Sequence, residues 1–63
     1  SININFERND NYTIEVTNII GEIILVKDVN SNTIIDLTNF EKGTYLVKVF
    51  NSELSKTERV VVE

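Results

Sequence analysis

The chain is predicted to be all-β: a small antiparallel two-sheet sandwich of about six to seven strands with no helix. Three observations carry this. Apolar and polar residues alternate at period two, with Ile2, Ile4 and Phe6 set against Ser1, Asn3 and Asn5, and Tyr12, Ile14 and Val16 against Thr13, Glu15 and Thr17; this is the pattern of strands buried on one face. Polar or glycine-bearing segments break the chain at short intervals, leaving connections of about four to seven residues, which suit hairpins and corners rather than helical crossovers. No stretch shows the i, i+3, i+4, i+7 apolar recurrence of a helix, and the choice of Ile, Val, Thr, Tyr and Phe favours a pleated surface.

The elements follow in order. A strand over 2–6 ends at Arg8-Asn9-Asp10-Asn11, and a second over 12–18 ends in the turn Asn18…Gly21. The third, 23–29, contains the unbroken apolar run Ile23-Ile24-Leu25-Val26, which reads as a central strand covered on both faces or as a chain switching faces. The polar segment Asp28…Asn32 leads to a fourth strand, 33–37, and Thr38…Gly43 to a fifth, 44–50, whose Tyr45-Leu46-Val47 is again continuous. Asn51-Ser52-Glu53 turns the chain into a sixth strand, 56–62.

The stretch Glu41-Lys42-Gly43 reads as a tight turn whose last residue needs positive φ, where glycine has no Cβ to clash. Two residues on, Tyr45 has the placement of a tyrosine that enters a sandwich strand at a corner and ties its hydroxyl to upstream backbone, with Leu37 and Phe40 packed beneath it.

Composition narrows the function. Sixty-three residues make one domain, and at that length folding buries only about 60% of the surface of the unfolded chain. There is no cysteine and no histidine, hence no disulfide framework and none of the usual zinc, haem or iron–sulfur ligands; no cofactor is expected. Six basic residues scattered among ten acids, net charge −4, do not suit a nucleic-acid partner. No apolar run approaches the ~20 residues of a membrane helix. The opening SININFERND lacks the basic and apolar regions of a signal peptide, so the chain reads as intracellular or as the end of a longer, separately targeted protein.

Candidate chemistry is sparse. Glu7 with Asp10, and Asp28 with Asp36, are conceivable carboxylate pairs, but their loop and edge positions read as solvated charge, and no enzyme activity is expected. Asp28, Asn30 and Asn32 copy the first three ligands of a calcium loop, yet Thr33 stands where its bend requires glycine and Asn39 where a bidentate glutamate belongs. Asn11-Tyr12-Thr13 matches the N-glycosylation pattern, a short match of little weight in an Asn-rich chain. Sugar stacking needs exposed aromatics; Phe6, Tyr12, Tyr45 and Phe50 lie in strand patterns as core residues, and the loop residue Phe40 reads as a plug for the sandwich.

Taken in order, Tyr12-Thr-Ile-Glu-Val, Asn18-Ile-Ile-Gly21, Ile35-Asp-Leu-Thr-Asn-Phe40, Lys42-Gly43-Thr-Tyr45-Leu-Val-Lys-Val49 and Lys56-Thr-Glu-Arg59-Val-Val-Val62 resemble the type A C-terminal sorting domain of the Bacteroidetes type IX secretion system, over about residues 12 to 62. The resemblance implies an Ig-like β-sandwich at the C-terminus of an exported protein, linked to an upstream cargo domain. It implies recognition by the outer-membrane translocon, removal by a sortase-like protease, and passage through the periplasm to the cell surface or medium. It aligns Gly21 with the family's first-hairpin glycine, Gly43 and Tyr45 with its G-x-Y corner, and Lys56, Arg59, Val60, Val61 and Val62 with the terminal basic-then-apolar strand, the expected translocon contact. The chain departs from the family in lacking proline, hence the usual Tyr-Pro-Asn-Pro-like opening, so the first strand is expected upstream of Ser1; it also ends on Glu63 rather than on a basic or apolar residue. The competing reading is an Ig-like or fibronectin-like spacer, adhesion or carbohydrate-binding module of a surface protein.

Overall fold

The computed structural model describes all residues, 1–63, and contains six strands: β1 (Ile2–Ile4), β2 (Tyr12–Asn18), β3 (Ile23–Val29), β4 (Thr33–Ile35), β5 (Gly43–Phe50) and β6 (Ser55–Val62). They form two antiparallel sheets without helix, β1-β4 and the larger β3-β2-β5-β6, as a small β-sandwich. The alternation seen in the sequence places Tyr12, Ile14 and Val16 of β2 and Tyr45 and Val47 of β5 on one buried face. Ile35 of β4 meets them from the opposite sheet, and Ile2, Ile4, Leu25, Leu37, Phe40, Val60 and Val62 pack around this cluster.

Two strands stop short of their predicted ends, each because a side chain captures the backbone. β1 ends at Ile4, and the Phe6 N–H donates to Asn32 Oδ1 at 2.8 Å while the Phe6 ring stacks on Tyr12 with centroids 4.0 Å apart. β4 ends at Ile35 because Asp36 Oδ1 accepts from the Thr38 N–H at 2.9 Å and from its hydroxyl, a local turn that competes with the ladder. Both acceptors come from residues weighed above as metal or catalytic candidates.

Of the two readings of Ile23–Val26, a strand covered on both faces is corrected, and a change of face at a bulge is what the structure has. β3 is an edge strand, and Ile23, Ile24 and Val26 are 60%, 46% and 54% exposed. No layer covers the outer face of the large sheet, and the β2–β3 register shifts between Val16, opposite Leu25, and Thr17, opposite Ile23, leaving Ile24 as the extra residue of a bulge. The same one-sided cover applies to β5: Tyr45 and Val47 are buried, whereas Leu46 between them is exposed.

Candidate functional site

Each central strand of the large sheet enters through a tyrosine tether. The Tyr45 hydroxyl donates to the Glu41 carbonyl at 2.6 Å, and Phe40 packs edge-to-face on its ring at 5.2 Å between centroids. Gly43 lies between them at φ 152°, in a conformation a side chain disfavours. Tyr12 repeats the device, its hydroxyl donating to the Arg8 carbonyl at 3.2 Å, again four residues back. Sequence reasoning assigned Tyr12 only to the core; the signal that could have found the second tether is the shared position of both tyrosines at the start of an alternating strand after a charged turn.

These tethers fix β5, and β5 fixes β6. The pairing runs without a break from Phe50–Ser55 to Gly43–Val62, eight consecutive pairs. β6 is the last strand of the sheet, so its far side offers backbone N–H and C=O groups to a further strand. Alternation along β6 divides the named residues. Lys56, Val60 and Val62 share the inner face, where Val60 and Val62 pack against the core; Arg59 and Val61 share the outer face, Arg59 opposite Leu46 and Val61 opposite Thr44. Lys56 and Val60 also line a groove of about 660 Å³ between β6 and the β1 segment, with Ile2, Ile4, Val49 and Glu58 among its walls. The five candidate residues thus lie on one strand but face two environments.

The two edges of the large sheet differ. β3 carries the bulge, and its inward-facing Lys27 reaches across the sandwich to Thr33 Oγ1 at 3.4 Å. Bulges and inward charges are devices that blunt an edge. β6 has no bulge, and its inner-face charges, Lys56 and Glu58, precede a final Val60-Val61-Val62 that has none.

The other candidates do not converge. Asp28 accepts from the Thr13 hydroxyl at 3.0 Å across the β2–β3 pair, whereas Asp36 is held by Thr38. Those hydrogen bonds lower the Asp36 pKa below 3.8, the side-chain bond contributing most and the backbone bond next. Asn32, third of the calcium-like series, instead anchors the Phe6 N–H. Gly21, at φ 94°, completes the β2–β3 turn. That turn exposes Ile19 and Ile20 at 80% and 79%; an apolar pair between Asn18 and Gly21 was the available signal, since turns are ordinarily polar.

The class defined by the fold is a small all-β sandwich whose β6 is paired on one side only. The secretion system C-terminal sorting domain family matches residues 1–63, the whole chain, and the chain belongs to it. No curated protein and no solved structure matches the chain significantly. No helix is long and apolar enough to cross a membrane.

Proposed function

We propose that the outer-membrane machinery of type IX secretion recognises this sorting domain by adding a strand along β6, and that the domain itself catalyses nothing. The observation that supports this most is the asymmetry of the edges: β3 is broken by a bulge, while β6 is paired in unbroken register on one side and unpaired on the other. Strand addition supplies affinity through main-chain hydrogen bonds and specificity through alternate side chains. On this reading Arg59 and Val61 face the receptor on the outer side, and Lys56 meets it at the mouth of the inner groove. Val60 and Val62 hold the strand to the core so that its edge stays extended. The upstream cargo crosses the periplasm with the domain, which a sortase-like protease removes after export.

The test is a fusion of residues 1–63 to the C-terminus of a periplasmic reporter in a type IX-competent bacterium. The intact fusion reaches the medium. Deletion of 56–63 retains the reporter in the periplasm, and so does Val61→Lys, which places a charge beside the edge while leaving Val60 and Val62 on the core. Export of both altered fusions at the intact rate would remove β6 from recognition.

A further inference from the structure

The two sheets overlap only in part, and the part left over has a definite place. Lys27 of β3 reaches Thr33 of β4 at 3.4 Å, so β4 lies over the β3 side of the large sheet. β1 pairs with β4 along one side and is unpaired along the other. The groove of about 660 Å³ is lined by the β1 segment and by the inner faces of β5 and β6, with no residue of β4 in its walls. The unpaired side of β1 is therefore the one turned towards β6. The small sheet does not reach the inner side of β6, where Lys56 and Glu58 point into the sandwich and are nevertheless exposed.

The groove supplies what an added strand needs. Ile2 and Ile4 line it from β1, and Val47, Val49 and Val60 from the large sheet. The free side of β1 offers backbone N–H and C=O groups. A strand set beside β1 at the usual spacing of about 4.8 Å would lie over β5 and β6, with alternate side chains turned onto the valines. Such addition draws affinity from main-chain hydrogen bonds and selectivity from the alternate side chains.

Charge selects the composition of that strand. The pairings Thr13–Phe50 and Phe50–Ser55 bring the start of β2, the end of β5 and the start of β6 to one end of the sheet. Phe6, stacked on Tyr12, brings the residues after β1 to the same end. There Glu7, Asp10 and Glu53 line the groove with Arg8 and Lys56, and Glu58 adds a fourth carboxylate further along. Four carboxylates against two cations favour an occupant of positive charge. A second copy of this chain does not supply one: its net charge is −4, and its basic residues closest in sequence, Lys56 and Arg59, are three apart and so face opposite sides of β6.

We propose that the groove between β1 and β6 binds an extended segment of another protein as a third strand of the small sheet. Its backbone pairs with the free side of β1, its inward side chains are apolar, and Lys or Arg residues stand at its acidic end. This site is separate from the unpaired side of β6 on which the export reading rests, and it is tested in solution without any export.

The probe is a short blocked peptide alternating valine and serine with two lysines at one end, made with the lysines at either terminus; its counterpart has two glutamates in their place. Titrated into the nitrogen-15-labelled chain, one lysine peptide should shift the β1 amide resonances and slow hydrogen exchange of the β1 N–H groups that face the groove. The glutamate counterpart should bind at least tenfold more weakly. Glu7→Lys with Glu53→Lys changes two exposed side chains and should reverse that preference. Equal binding of the two peptides, or the same preference in the double variant, would overturn the charge selection and the proposal with it. So would protection that appears on β3 or β6 in place of β1, since the peptide would then extend the large sheet. No response at β1 to either lysine peptide overturns the proposal, as do β1 shifts that grow with protein concentration alone, which would make a second copy the occupant.

Discussion

Single residues decide whether the two central strands start where they do. Tyr45→Phe removes only the hydroxyl that donates to the Glu41 carbonyl, leaving a partly buried acceptor without its partner. It should lower unfolding free energy by about 1–2 kcal/mol, read from urea melts. Asp36 gives a pH signature. Its pKa is lowered by hydrogen bonds from Thr38, so the folded chain binds fewer protons than the unfolded chain in the acid range. The stabilisation is fully present above the ordinary value of 3.8 and is lost as pH falls through the depressed one. The melting-temperature advantage of the natural chain over Asp36→Asn should therefore be greatest near neutrality and shrink below about pH 4. An advantage independent of pH would show that the carboxylate charge plays no part.

At the scale of elements, the β2–β3 turn depends on Asn18. Asn18→Ala loses three side-chain hydrogen bonds at once and should cost about 1–3 kcal/mol because the turn N–H groups lose their acceptor; an unchanged urea midpoint would show the backbone bonds suffice. The order and type of all six strands were legible because one-sided burial writes itself as period-two alternation, clearest in Tyr12–Val16. What the sequence hid was position within a sheet. The run Ile23–Val26 looks the same whether two layers bury it or a bulge turns part of it outward, and only the β2 register decides. The early ends of β1 and β4 were hidden for a related reason: Asn32 and Asp36 compete for backbone N–H groups locally, and apolar periodicity carries no record of that competition. The terminal strand was singled out by the family resemblance of Lys56 and Arg59 to Val62, whereas its unpaired side is a product of strand order.

For the molecule as a whole, the two sheets are unequal, a pair of three-residue strands covering part of a four-stranded layer. The Cα radius of gyration is 11.5 Å, against about 10.6 Å for a compact domain of this length, which reflects a flattened body only 15 Å through its thinnest axis. Six residues are buried, and of these only Ile14 and Val16 are fully so. A chain of this size commands about 3–9 kcal/mol of stability, and truncating a buried isoleucine to alanine removes about 2–5 kcal/mol. Ile14→Ala should lower the melting temperature by at least about 10 °C, measured by far-ultraviolet circular dichroism; a shift of a few degrees would mean the thin core reseals around the cavity.

The unequal edges also bear on how copies behave when crowded. Ladder growth from molecule to molecule needs two hospitable borders per copy, one to give and one to receive, or else an end that matches itself and closes. Here the bulge leaves one border inhospitable. Concentrated protein should therefore stop at twofold pairs joined through β6 rather than propagate as filaments.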